Sequence, residues 1–365
     1  DHEIKNFTGA ADAVRQAQLK AEKVVVLGMP LMQLVMYCCI IAISWFGGNL
    51  IIGGTMLTGE LMGFITYSTQ ILMSLMMISF VFVMLVISRA SIFRIVEVFD
   101  EEIDIRDNIP DRESQDLKVQ DGSVVFDHVS FSYSRDRNNL TIDDCSFEIR
   151  PGETVGIIGG TGSAKTTLVH LIPRLYDVLD GRVLVGRHDV REYSLKALRD
   201  SVAMVLQKNV LFSGTIKENL KWGNENATDE EIIEACKAAQ AYDFIMSFPD
   251  GFDTDLGQGG VNVSGGQKQR LCIARALLKG PRILILDDST SAVDTATDSK
   301  IRQALKKLSD TTKIIIAQRV TSVSDADKII VLDEGRISAM GTHEELLSAS
   351  PIYREVYESQ QKGVA

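Results

Sequence analysis

The sequence predicts a helical membrane hairpin followed by an α/β domain built around a phosphate-binding loop. Three observations carry this reading. Residues 24–88 form two long apolar runs whose single charge is Glu60. From about Asp121, short β-branched runs alternate with helical stretches. Within that second region a glycine-rich loop opens a helix at Lys165, and an aliphatic strand ends on two adjacent acids, Asp287 and Asp288.

The first run, VVVLGMPLMQLVMYCCIIAISWF (24–46), is about 23 residues long, enough to cross a bilayer with some tilt. The second, LMGFITYSTQILMSLMMISFVFVMLVIS (61–88), is longer. A pair of buried core helices is the competing interpretation; length and lack of charge favour membrane spans. The first run is too long for a signal peptide and is not followed by a small-residue cleavage site. Lys20 and Lys23 precede the first span, Arg89 and Arg94 follow the second, and the connecting GGNLIIGGTMLTG has no base. The positive-inside rule places both ends in the cytoplasm and the glycine-rich turn outside. Thr66, Tyr67, Ser68, Thr69 and Gln70 lie inside the second span, where they line a cavity or bond neighbouring helices, the latter being the default.

Residues 1–23 read as an amphipathic helix entering the first span. The helix leaving the second span runs to about Asp100, and an acidic segment containing Pro110 breaks it. The runs SVVFDHVSFSY, TVGIIGG, RILILDD, TKIIIAQ and KIIVLDEGRI then alternate with helical stretches, which predicts a mainly parallel sheet covered by helices. The formal net charge of −11 argues against a nucleic-acid partner, which needs a basic face. Cys38, Cys39, Cys145, Cys236 and Cys272 have no metal-ligand spacing and read as reduced core or lipid-facing residues.

GIIGGTGSAKTTL (156–168) is an apolar strand, a glycine-rich loop and a Lys-Thr pair opening a helix. Backbone N–H groups of Gly159, Gly160, Thr161, Gly162, Ser163 and Ala164, with the helix N-terminus, form a phosphate cradle; Lys165 reaches the β/γ-phosphates and Thr166 ligates Mg²⁺. Ala164 stands where this loop pattern has glycine, which is tolerable at negative φ and costly at positive φ. The second half of such a site is an aliphatic strand ending in Asp, so Asp287 is the expected metal carboxylate. Asp288 is then free for another task.

VSGGQKQRLCIARAL (263–277) resembles the signature motif of ATP-binding cassette (ABC) transporter domains, and STSAVD after the two acids strengthens the likeness. The resemblance covers residues 120–360. It implies an ABC ATPase domain over 118–365, with an antiparallel β subdomain and a helical signature subdomain. Residues 1–117 are similar to the end of an ABC exporter's transmembrane domain, its last two helices plus cytoplasmic extensions and linker. By this resemblance Tyr133 stacks on adenine, and Gly159, Gly162, Lys165, Thr166 and Thr167 bind phosphates and Mg²⁺. Gln207 touches Mg²⁺ and the membrane coupling helices. Ser264, Gly265, Gly266 and Gln267 close over ATP held by the opposite nucleotide domain, and Asp294 lies in the loop joining the two sites. The implied cofactors are ATP and Mg²⁺.

Two departures from the family pattern carry information. Active members have glutamate after the magnesium Asp; Asp288 is one methylene shorter, retracting the carboxylate by roughly 1.5 Å in chemistry that needs hydrogen-bond reach. Where the family usually has a γ-phosphate-contacting histidine, this chain has Gln318, which donates a hydrogen bond but does not titrate near neutral pH. Both weaken hydrolysis at one site. The pairing resembles the degenerate-site subunit of heterodimeric bacterial multidrug-type ABC exporters, which keeps a good signature for its partner's competent site.

The expected partner is therefore a second half-transporter, in a hetero- or homodimer, within the lipid of a bacterial plasma membrane and with the nucleotide domain in the cytoplasm. A full exporter half has six spans and this sequence has two, so a truncated chain is expected. Two other readings stay open: a homodimeric exporter with reduced but real ATPase activity, and an ATP-responsive regulatory clamp that transports nothing.

Overall fold

The computed structural model describes residues 2–107, 117–289 and 293–362. The expected break at Pro110 and Thr290, Ser291 and Ala292 of the STSAVD motif lie outside the described residues. The chain divides into two compact units, residues 1–102 and 103–365.

The first unit is a hairpin of two helices, α1 (His2–Ile52) and α2 (Thr58–Asp100). Both are longer than the apolar runs within them. α1 stops at a glycine pair: Gly53 N–H donates to the Asn49 carbonyl (3.0 Å), and Gly54 takes φ +74°. Glu60, the lone charge of the apolar region, has a local task. Its carboxylate accepts from the Leu57 N–H (2.9 Å), satisfying a donor at the start of α2 with negative charge at the positive end of the helix. No α2 side chain is buried, and Trp45 of α1 and Phe82 of α2 are 71% and 67% exposed. Apolar surface on that scale suits lipid and not a soluble core. Thr66 and Thr69 donate back to the Met62 and Ile65 carbonyls of their own helix (2.8 Å each), so these two hydroxyls are satisfied within the hairpin.

The second unit continues in chain order with β1 (Val124–Phe131), β2 (Ile142–Ile149), β3 (Thr154–Gly159), α3 (Lys165–His170), β4 (Asp180–Val185), β5 (His188–Asp189), α4 (Leu195–Ser201) and β6 (Val202–Val205). Next come β7 (Gly214–Thr215), α5 (Ile216–Lys221), α6 (Asp229–Ala238), α7 (Tyr242–Met246), β8 (Asp255–Leu256), α8 (Gly265–Leu278), β9 (Ile283–Asp287) and α9 (Thr295–Lys306). β10 (Thr312–Ile316), β11 (Lys328–Asp333), β12 (Arg336–Gly341), α10 (His343–Ala349) and α11 (Pro351–Lys362) complete it.

The central sheet has the order β12-β11-β3-β10-β9-β6, and every pairing in it is parallel except β11 with β12. Its inner strands read as continuous aliphatic runs because both faces are covered. Ile157, Ile283, Ile285, Ile314 and Ile316 point into one core, with α3 and α4, while Ile158, Leu284, Leu286 and Ile315 point into the other, with α5, α6 and α8. The run around Val124–Phe131 departs from the parallel pattern. It pairs antiparallel with both β2 and β4 in a separate sheet of order β2-β1-β4-β5. A β-branched run looks alike in either sheet; only its partners decide.

Candidate active site

The parallel strands deliver the chemistry at their carboxyl ends, the usual place for a ligand in an open α/β sheet. Ile316 of β10 sits level with Asp287 of β9 and Ile157 of β3, so the loops after these three strands leave the sheet together. The loop after β3 turns at Gly159, where a side chain would collide with the Leu332 carbonyl and come 2.6 Å from Ser163 Oγ. Gly160 and Gly162 are the opposite case. An added Cβ would meet nothing within 4 Å, so the outer face of the loop is open.

Lys165 folds over this loop. Its Nζ donates to the Gly159 and Gly160 carbonyls (2.9 and 2.7 Å) and to Ser163 Oγ (3.3 Å). Partial burial lowers its pKa, opposed by the charges of Asp287 and Asp288. Thr166 Oγ1 donates to Asp287 Oδ2 at 2.9 Å. Burial raises the Asp287 pKa, while the Thr166 hydrogen bond, His170 and Lys165 pull it down. A hydroxyl and a carboxylate side by side form a hard oxygen pair of the kind Mg²⁺ takes alongside phosphate and water. With the open loop face beside them, the residues present fit Mg²⁺ and a phosphate chain.

Asp288 is held from two directions. Its Oδ2 accepts from Gln318 Nε2 (2.7 Å), in the loop after β10, and from Gln207 Nε2 (3.3 Å), in the loop after β6. Burial raises its pKa, the Gln207 bond opposes this, and the neighbouring Asp287 charge adds to it. The backbone of Asp288 is left-handed at φ +47°, a conformation that Asp tolerates better than most side chains.

Tyr133 lies beside the loop helix, with its hydroxyl 2.9 Å from Thr167 Oγ1. Its ring is held edge-on by Phe131 and Tyr176 and is 55% exposed, leaving ring surface open to a flat ligand. The remaining predicted residues lie elsewhere on this unit. Ser264 caps α8: its Oγ accepts from Gln267 N–H (3.3 Å) and Gln267 Oε1 accepts from Ser264 N–H (2.8 Å). Gly265 and Gly266 form the first turn of that helix. Asp294 caps α9 by accepting from Thr297 N–H (2.9 Å), and this bonding holds its carboxyl below the usual range. Among the described residues, no hydrogen bond joins Ser264–Gln267 or Asp294 to the glycine loop.

Residues 142–291 match the ABC transporter family, and residues 1–90 match the ABC transporter transmembrane region. The chain therefore has an ABC transporter transmembrane region followed by an ABC ATPase domain. It is 43% identical over 362 residues to the uncharacterized ABC transporter ATP-binding protein YfiB of Bacillus subtilis (strain 168), covering 98% of this chain and 61% of that protein. The uncharacterized ABC transporter ATP-binding protein YknU of the same strain is 38% identical over 365 residues, 100% of this chain and 62% of that protein. The solved structure of a bacterial Atm1-family ABC exporter with ATP bound superposes with a TM-score of 0.86 at 33% identity, covering 98% of this chain and 63% of that one. The chain thus spans 61% and 62% of the length of these two relatives.

α1 and α2 supply the transmembrane-region helices, and the second unit contains the ABC ATPase domain. One residue beside the site has no counterpart among the sequence motifs. Gln360 of α11 donates through Nε2 to the Gln318 carbonyl (2.7 Å) and accepts through Oε1 from the Val320 N–H (2.9 Å). Its only trace in the sequence is its place on the inward stripe of α11, seven residues after the buried Tyr353.

Ala164 resolves the question its position raised. Its φ is +69°, the costly sign. A left-handed alanine costs about 1–2 kcal/mol relative to glycine, against about 0.4–1 kcal/mol of extra chain entropy that glycine loses on folding. Ala164→Gly is therefore expected to stabilise the domain by about 0.5–1 kcal/mol, read as a higher thermal midpoint. A lower midpoint would show that methyl packing outweighs the strain.

Proposed function

We propose that this chain is part of one half of an ATP-driven exporter, with the membrane portion in residues 1–117 and the nucleotide portion in 118–365. Its own site binds ATP with Mg²⁺ and turns it over slowly, and its signature serves the site of a partner half-transporter. The observation that carries the reading is the state of Asp288, whose Oδ2 is shared by the Gln207 and Gln318 amides. A short carboxylate tied to two amides is poorly placed to reach an attacking water, while the phosphate cradle and the Thr166–Asp287 pair are intact.

Residues Gly159 to Thr167 hold the triphosphate through backbone N–H groups, Lys165 and the α3 N-terminus. Thr166 and Asp287 would hold Mg²⁺, with Gln207 alongside, and the ion would supply charge neutralisation to the phosphate chain. Tyr133 offers its ring to adenine. The α8 N-terminus offers the N–H groups of Gly265 and Gly266, set between the mutually capped Ser264 and Gln267, to the γ-phosphate of ATP on the partner, with Asp294 in the loop between the sites.

Ser264→Arg tests the division of labour. A bulky cation at the α8 N-terminus blocks closure over the partner's nucleotide, so hydrolysis by the complete heterodimer should stop while ATP still binds at this chain's own loop. Surviving turnover in the variant, or brisk ATPase activity from a purified homodimer of the wild type, would overturn the proposal.

A further inference from the structure

The C-terminal helix bonds to the loop after β10 through the side chain of Gln360. α11 is anchored to α10 and rigid at its base: Tyr353 is fully buried, its hydroxyl 2.7 Å from His343 Nδ1, and Arg354 donates to the Leu347 and Ser348 carbonyls (2.7 and 2.6 Å). Tyr353, Tyr357 and Gln360 follow one another at four- and three-residue steps, so they share a face. The first two pack on His343. The third reaches the loop after β10, where its amide makes both available bonds, one to the Gln318 carbonyl and one to the Val320 N–H. Val320 is itself fully buried and opens a short 3-10 turn, Val320–Ser322.

The bonds form a continuous series. Gln360 fixes the backbone on either side of Arg319, the side chain of Gln318 extends from that backbone to Asp288, and Asp288 meets Gln207. A primary amide is the group suited to this place, because it offers a donor and an acceptor about one peptide apart. Neither partner is a side chain, so substitution of the loop residues would not remove the contact.

We infer that Gln360 is a positioning residue: it sets where Gln318 stands relative to Asp288 and the transferred phosphate, and so places turnover at this site under the control of the C-terminal helix. The inference rests on the proposed role of the Gln318 amide in holding Asp288. A perturbation that pulls α11 away would release the loop without touching the phosphate cradle, giving a route by which the cytoplasmic end of the chain adjusts hydrolysis and not ATP binding.

The test uses the assembled full-length transporter with the partner's own site silenced. Gln360→Ala should speed amide hydrogen exchange in peptides covering residues 317–323 by about tenfold, as expected for a buried N–H and C=O losing their partner, with the 159–167 loop unchanged. Single-turnover hydrolysis should rise by about tenfold, equivalent to 1.36 kcal/mol, as the loosened Gln318 amide releases Asp288, at unaltered ATP affinity. Gln360→Glu keeps the acceptor for Val320 but sets a carboxylate against the Gln318 carbonyl, so it should behave as the alanine variant. In a Gln318→Ala background, Gln360→Ala should have no further effect on turnover. Unchanged exchange over 317–323, or equal changes of turnover in both backgrounds, overturns the inference. Absence of ATP binding in the wild type would instead overturn the functional reading, and the exchange measurement would still decide the clamp.

Discussion

Replacing Asp288 by Glu and Gln318 by His together is expected to raise ATP hydrolysis at this chain's own site by about 10²- to 10⁴-fold, the range a well-placed general base supplies. That is about 3–5 kcal/mol at 1.36 per decade. The glutamate restores the missing methylene. The histidine removes the shorter of the two amide bonds, the 2.7 Å contact from Gln318 Nε2, and introduces a titratable group. Neither change touches the Thr166–Asp287 pair or the glycine loop, so ATP affinity should hold. The measurement is single-turnover hydrolysis in the assembled transporter, with the site of the proposed partner silenced. An inert but folded and ATP-binding double mutant would move the cause to Ala164, whose left-handed backbone sits directly before Lys165, or to the partner's signature. Rapid wild-type turnover would show that the aspartate reaches far enough.

Lys165→Ala is expected to weaken ATP binding at this site by about 10²- to 10⁴-fold. The ammonium stands over the loop with three oxygen acceptors of its own chain within 3.3 Å. In the proposed binding mode it exchanges these for phosphate oxygens. Two charge-assisted hydrogen bonds at about 1.5–3 kcal/mol each give about 3–6 kcal/mol, or two to four decades in Kd. Equilibrium binding of a fluorescent ATP analogue with Mg²⁺ checks it, with far-UV circular dichroism to confirm the fold. Unchanged affinity would remove the loop from the phosphate-binding role.

Much of this site is legible in the sequence because it is local. The strand, loop and helix from Thr154 to His170 are contiguous, and so is the aliphatic run that ends on Asp287. Their order carries the chemistry before any contact is known. The contacts that qualify that chemistry are not local. Gln207 meets Asp288 across 81 positions, Gln318 across 30, and Gln360 reaches the Gln318 carbonyl across 42. A glutamine has many uses; the register of β6, β9 and β10 brings Gln207 and Gln318 to Asp288, and the packing of α11 brings Gln360 to the loop after β10.

The same division runs through the whole chain. The sequence alone determined the two spans, because uncharged length is a property of composition, and it determined the phosphate loop, because spacing along one strand-turn-helix unit is enough. The tertiary structure alone decided that Val124–Phe131 joins an antiparallel sheet, since hydrogen-bond partners and not strand composition set direction. It also decided that Ala164 is strained and that Glu60 closes the start of α2, because a φ angle and a capping bond depend on how the loop is held. Above all it decided what occupies the second acid. Asp288 was a free carboxylate in the sequence; in the folded domain its Oδ2 faces two amides, one of them on a backbone held by the last helix. Sequence specifies which groups exist and how far each can reach, and packing specifies which of them they reach first.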